Sequence, residues 1–277
     1  MSLVPVLDAR QIRRIVLTES RRANVGHIGS CLSVVDILAV LYGGVLCATS
    51  PRDPDRDRFI LSKGHAALAL YATLRVKGWM SADTLGTFCR DGSCLGVHPE
   101  HAIDGVDFST GSLGHGMSFG AGAALAARLQ GSTRRVYCLV SDAECNEGST
   151  WEAVMFAAQH RLRDLTAIVD VDGQQAFGQT AEIMDLSSLA ARWDAFGWGV
   201  SEVDGHSPDA LLAAFDSRSA DGRPHVVLAH TIFGKGVSFM EQGIPGDRGL
   251  PVRPINWHYL PMTAIEFDRA LEELERG

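Results

Sequence analysis

Two short acidic runs carry the first chemistry in this sequence. Ser141-Asp142-Ala143-Glu144 follows the β-branched run Arg135–Val140, and Asp170-Val171-Asp172 closes the run Thr166–Asp170. A carboxylate at each of two neighbouring strand ends suits a hard divalent cation such as Mg²⁺, which takes one or two carboxylates and completes an octahedron with other oxygens. Asp142 and Asp172 are the candidate ligands, and Gln174 in the following turn would add its main-chain carbonyl. Acidic residues at strand ends also cap helices, so spacing alone leaves both readings open.

The carboxylates meet only if their strands are neighbours with carboxyl ends aligned, as consecutive elements usually are. The hydrophobic pattern offers such a frame. Arg58–Ser62 predicts a short strand, and Arg135–Val140, Thr166–Asp170, Trp198–Val203 and His225–Ala229 predict four buried ones. Helices are expected at Val6–Asn24, Ser33–Cys47, His65–Lys77, Gly116–Leu129, Ser149–Arg161, Leu186–Phe196 and Pro208–Ser219, with a short acidic helix in Thr263–Gly277. Strand–helix alternation at this spacing predicts an α/β fold, a parallel sheet with helices on both faces. Such sheets bind ligands outside the carboxyl ends of their strands, where the acidic runs fall. Glu241–Asn256, rich in proline and glycine, reads as loop. The expectation is one domain over residues 1–277 with a C-terminal extension.

Composition narrows the partners. With 46% apolar and 21% charged residues, the 277-residue chain can bury a sizeable core. A net charge of -8 with no basic run excludes a nucleic-acid-binding role. No stretch approaches the ~18 apolar residues that cross a bilayer, and the N-terminus lacks a signal-peptide core, so no membrane partner is expected. Cys31, Cys47, Cys89, Cys94, Cys138 and Cys145 are too few for a disulfide scaffold and lack paired zinc spacing. They read as free thiols in a reducing cytoplasm.

The acidic runs also belong to a larger pattern. Val140-Ser-Asp-Ala-Glu-Cys-Asn-Glu-Gly-Ser-Thr-Trp-Glu-Ala153, with Asp170-Val-Asp172 downstream, resembles the thiamine diphosphate motif of transketolases. Val25-Gly-His-Ile-Gly-Ser30, Leu61-Ser-Lys-Gly-His-Ala66, Gly96-Val-His-Pro-Glu100 and Ser109-Thr-Gly-Ser-Leu-Gly-His-Gly116 resemble further elements of that family. Thr231-Ile-Phe-Gly-Lys-Gly-Val-Ser-Phe-Met240, with Trp257-His258, resembles its closing element. Together they cover roughly residues 10 to 260 in the family's order.

The resemblance implies roles at the matching positions. Asp142, Asp172 and the Gln174 carbonyl would hold Mg²⁺, and thiamine diphosphate would lie against His65, Gly114, Ser141, Asp142, Ala143, Glu147 and Asp172. Glu147 and Glu152 match acidic positions near the family's subunit interface. His27, His65, His98 and His258 fall at its active-site histidines. Breaking the ketose carbon–carbon bond requires a hydroxyl proton to leave, and a group titrating near neutrality can take and return it. His27 and His258 would do so, with His98 holding the two-carbon fragment's hydroxyl and His65 near the diphosphate and donor.

Several residues depart from the pattern. Ser141 replaces a glycine, Asp172 an asparagine, Phe177 an aspartate and Tyr259 a glycine, and the loop before Trp257 is longer. These changes imply an altered ketose donor or aldehyde acceptor. The pyrimidine-binding domain of whole transketolases has no counterpart here, so a separate C-terminal subunit is expected, in a two-plus-two heterotetramer acting on sugar-type substrates. Two alternatives share the metal motif: a 2-oxo acid decarboxylase-type subunit, and a non-catalytic cofactor-binding or regulatory subunit. The four histidines favour ketol transfer, because decarboxylation removes no proton from a sugar hydroxyl.

Overall fold

Parallel strands need long crossovers, and this chain makes them from helices packed on both sheet faces. The computed structural model describes residues 4–217, 221–241 and 255–276. Strands β1 (Arg58–Leu61), β2 (Val136–Ser141), β3 (Leu165–Val171), β4 (Gly199–Asp204) and β5 (His225–His230) form one parallel sheet in the order β1-β2-β3-β5-β4. Residues 174–175 and 178–179 pair separately as a small antiparallel hairpin.

Side-chain alternation along β2 explains the two-faced burial. Tyr137 and Leu139 enter one core with helices α1 (Ala9–Ala23), α2 (Ile28–Ser33), α3 (Val35–Val40) and α4 (Ala67–Lys77). Val136, Cys138 and Val140 enter the other with α5 (His115–Leu129), α6 (Gly148–Gln159) and α7 (Leu189–Ala195). Helix α8 (Pro208–Asp216) packs with the first group, and α9 (Ala264–Arg276) lies against α1. Helix α1 starts where the Gln11 N–H donates to Asp8 Oδ1 at 3.0 Å, and ends at left-handed Asn24.

Three expectations need correction. The helix expected at Ser33–Cys47 is instead α2, a break at Val34, α3 and a wider turn at Leu41–Val45, where the Leu46 N–H reaches the Leu41 carbonyl. The unbroken apolar run conceals that break. Trp198–Val203 reads as a buried strand, but β4 is an edge strand whose Glu202 and Asp204 are exposed. Helix α7 begins at Leu189, because the Asp185 side chain folds back onto the Ser187 N–H and forms a turn first. Residues 218–219 of the expected Pro208–Ser219 helix and 242–254 of the Glu241–Asn256 loop lie outside the described residues. Among the described residues, no helix is long and apolar enough to cross a membrane.

Candidate active site

β2 and β3 pair in register, Ser141 opposite Asp170, and the Asp142 N–H donates to the Asp170 carbonyl at 3.1 Å. The two acidic runs therefore lie side by side. Asp142 Oδ2 accepts the Thr180 hydroxyl at 2.6 Å, whereas Asp142 Oδ1 is buried without a partner. Burial pushes the Asp142 carboxyl up to about 6 and raises Asp172 well above the usual carboxylate range. Asp172 Oδ1 accepts the Gln174 N–H at 2.9 Å. The Gln174 side chain turns back into its hairpin, its Nε2 donating to the Gln175 carbonyl at 2.6 Å and the Gly178 carbonyl at 2.9 Å. A buried carboxylate oxygen with no donor is costly, and a cation removes that cost, so this donor set fits Mg²⁺. Among the described residues, no three His, Cys, Asp or Glu side chains form a metal cage, which a cation relying on two carboxylates does not require.

Two buried networks brace this end of the sheet. Lys63, 1% exposed, donates to Asp170 Oδ2, which also accepts the Ser33 hydroxyl at 2.8 Å. The Thr231 hydroxyl donates to Asp170 Oδ1. Glu144, fully buried, accepts from the Ser62 hydroxyl, from the Gly114 N–H at 2.9 Å and from the Ser141 N–H at 3.0 Å. It thereby ties the end of β1, the turn before α5 and the end of β2 together. The Ser141 hydroxyl accepts the Glu144 N–H at 3.3 Å, and Ala143 begins the short turn after β2.

Gly114 is required by its own chain. Its φ of 84° is left-handed, and a Cβ there would lie 2.5 Å from Ser149 Oγ and 2.8 Å from Glu147 Cβ. A side chain would collide with α6 before it met any cofactor. Glu147 is otherwise exposed, as is Glu152.

The four selected histidines converge. His27, at the N-terminus of α2, has a left-handed φ of 61°, and its N–H donates to the His258 carbonyl at 3.0 Å. Its ring centroid lies 5.4 Å from His65, 6.3 Å from His98 and 5.6 Å from His258, and His65 lies 5.4 Å from His258. His65 sits on the turn after β1, and His98 on a loop whose His98 carbonyl accepts the Tyr71 hydroxyl at 3.0 Å. Burial lowers all four: His258 falls to about 4, and His65 is held well below the usual range by burial and then by the Lys63 charge. These shifts favour the uncharged imidazole in all four. His27 Nδ1 is buried without a partner. Phe233 stacks on His258 at 6.0 Å, Ser30 Oγ lies 3.4 Å from His258 Nδ1, and Tyr259 packs edge-on at 5.1 Å. Phe177 stands 81% exposed at the hairpin tip.

Sequence reasoning gives no role to Lys63, Glu144, Asp170, Thr180 or Phe233. Lys63 and Glu144 lie inside the family-like motifs, just past the ends of β1 and β2, and their place in those motifs is the signal that could have found them. Phe233 has no signal apart from its motif.

The family model described as transketolase, thiamine diphosphate binding domain, matches residues 7–253. An apulose-4-phosphate transketolase subunit from Phocaeicola vulgatus is 38% identical over 97% of this chain and 92% of its own length. The 6-deoxy-6-sulfo-D-fructose transketolase subunit SqwG from a Clostridium species is also 38% identical, over 97% and 95%. Human transketolase is 34% identical over 96% of this chain but 41% of its own. The crystal structure of Campylobacter jejuni transketolase superposes with a TM-score of 0.85 at 27% identity, over 96% of this chain and 42% of that one.

Proposed function

The chain belongs to the transketolase family as its N-terminal, thiamine diphosphate-binding subunit, and from that premise we propose that it transfers a two-carbon ketol unit from a modified or phosphorylated ketose to an aldehyde. The single observation that carries this reading is the cluster of four histidines beside the paired strand-end carboxylates. Its relatives act on apulose 4-phosphate and 6-deoxy-6-sulfo-D-fructose, and the departures at Ser141, Asp172, Phe177 and Tyr259 support a modified sugar here too.

Bound thiamine diphosphate supplies the nucleophilic carbon and the electron sink for carbon–carbon cleavage. Asp142, Asp172 and the Gln174 carbonyl would hold Mg²⁺, and Ser141, Ala143, Gly114, Glu147 and His65 would line the diphosphate's place. His27 and His258 take the donor hydroxyl's proton and return it to the product, a role that contributes ~10²–10⁴ in rate. Burial lowers both below the ordinary imidazole value, which leaves them uncharged but weaker bases than a free histidine. His98 holds the hydroxyl of the two-carbon unit. A separate pyrimidine-binding subunit completes the site, two copies of each forming a heterotetramer through the face that carries Glu147 and Glu152. Residues 1–277 act as one domain, in the cytoplasm, a placement supported by six free thiols.

The test is to purify the chain alone and with a pyrimidine-domain transketolase subunit, then assay aldehyde release from phosphorylated ketoses, apulose 4-phosphate included. Turnover only by the pair is expected. Robust turnover by this chain alone, or none by the pair on any ketose, overturns the reading.

A further inference from the structure

His206 lies outside the histidine cluster, yet it is bonded at both ring nitrogens. Its Nε2 accepts the Ile232 N–H at 2.8 Å, so that nitrogen carries no proton. The ring proton therefore sits on Nδ1, which lies 2.6 Å from Asp36 Oδ2 and donates to it. Asp36 also receives a guanidinium fork from Arg13, Nη1 to Oδ1 at 3.1 Å and Nη2 to Oδ2 at 2.6 Å. Arg13 Nε then donates to the Lys235 carbonyl at 3.0 Å. One carboxylate thus holds the segment Ile232–Lys235 at both ends, through His206 at the first residue and Arg13 at the last.

That segment serves both halves of the site. Thr231, immediately before it, bonds Asp170 beside Lys63, and Phe233 within it stacks on His258. The Gly234 N–H donates to the Gly29 carbonyl at 3.1 Å, and the Phe233 ring fills the space where a Cβ on Gly29 would stand. Gly29 follows His27 by two residues, so the ring backs α2 as well as His258.

We infer that His206 is a positioning residue for ketol transfer: the Asp36–His206 pair fixes Ile232 so that Phe233 holds His258 at its proton-transfer angle. The inference rests on the proposed function for its kinetic consequence, but the Ile232 anchor can be measured without turnover. The essential group is the acceptor at the Nε2 position. A glutamine places an amide oxygen there. An asparagine reaches only the Nδ1 position, keeping the donor to Asp36 and losing the acceptor.

The experiment uses the assembled two-subunit protein carrying His206→Gln, His206→Asn or His206→Ala, with folding and assembly checked by circular dichroism and gel filtration. Hydrogen exchange of peptides spanning residues 231–236 reports the anchor. The glutamine variant should retain protection, while the asparagine and alanine variants lose it. With a ketose that the unsubstituted assembly cleaves, the asparagine and alanine variants should lose ~10-fold or more in kcat, a part of the ~10²–10⁴ of an acid–base contribution, with little change in donor KM. The glutamine variant should recover most of kcat. Equal exchange in all three variants, equal loss by glutamine and asparagine, or a loss confined to KM would each overturn the assignment. If the alanine variant fails to assemble, the glutamine–asparagine comparison decides. If the unsubstituted assembly cleaves no ketose, the proposed function falls and hydrogen exchange alone decides the anchor.

Discussion

The Lys63 ammonium lies 3.8 Å from Asp172 Oδ2 while it donates to Asp170, so one buried cation serves two carboxylates. Where transketolases resembling this chain carry asparagine, an added carboxylate at position 172 meets a cation from within the protein, although burial still disfavours its charged form. At an effective dielectric of 20, unit charges at this separation interact by ~4 kcal/mol before desolvation is counted. The extra charge at 172 therefore need not weaken cofactor binding.

This gives opposite expectations for the two partners. Asp172→Asn should keep Mg²⁺-dependent thiamine diphosphate affinity within about tenfold, ~1.4 kcal/mol, by calorimetry on the assembled protein. A larger loss would give the aspartate a role beyond ligation. Lys63→Met strands Asp170 without a counter-charge and should cost ~3–5 kcal/mol of stability in urea unfolding. A loss below about 1 kcal/mol would mean that the Ser33 and Thr231 hydroxyls suffice.

Asp142 carries the sharper metal prediction. Its Oδ1 has no protein donor, so Asp142→Ala should abolish Mg²⁺-dependent cofactor binding while the chain still folds. Unchanged binding would remove Asp142 from the metal.

The histidines make an acid-sensitive fold. A histidine whose folded pKa is depressed takes up its proton first in the unfolded chain, so its contribution is lost as pH falls from about 6.5 towards the folded value. For His258 that window closes at about 4. Asp142, raised from 3.8 to about 6, acts in the opposite direction, favouring the folded state as pH falls through its own window. His258→Gln should therefore flatten the acid slope of urea-unfolding stability by up to one proton, ~1.4 kcal/mol per pH unit. An unchanged slope would mean that His258 is not shielded from protonation.

Gly114→Ala tests the turn before α5. A left-handed alanine costs ~1–2 kcal/mol, and the contact with Ser149 and Glu147 adds to it. Urea unfolding should show a loss of at least that size. A loss under ~0.5 kcal/mol would show that the turn can relax.

Much of this arrangement is legible without the fold. Strand runs such as Arg135–Val140 match β2 to within one residue, because buried parallel strands have little except β-branched and apolar residues to offer. The four histidines are marked by their motifs and lie together. What stays hidden depends on long-range contacts. Lys63 meets Asp170 and His206 meets Asp36 only because the sheet order brings distant segments together, and nothing local to either residue names its partner. The edge position of β4 is hidden for the same reason: a strand's neighbours are set by topology, and Val200 and Val203 look alike at an edge or a centre.

The main-chain bond from His27 to His258 has a consequence for biosynthesis. One residue emerges early from the ribosome and the other late, so the four-histidine cluster is absent from every shorter nascent chain. The first strands and helices can collapse during synthesis, but a cofactor arriving then meets a sheet end lacking His258 and the ring of Phe233. Loop closure over such a span is slow relative to local contacts. The four-histidine cluster is therefore among the last parts of the chain to form, and a polypeptide stalled before Trp257 would lack it.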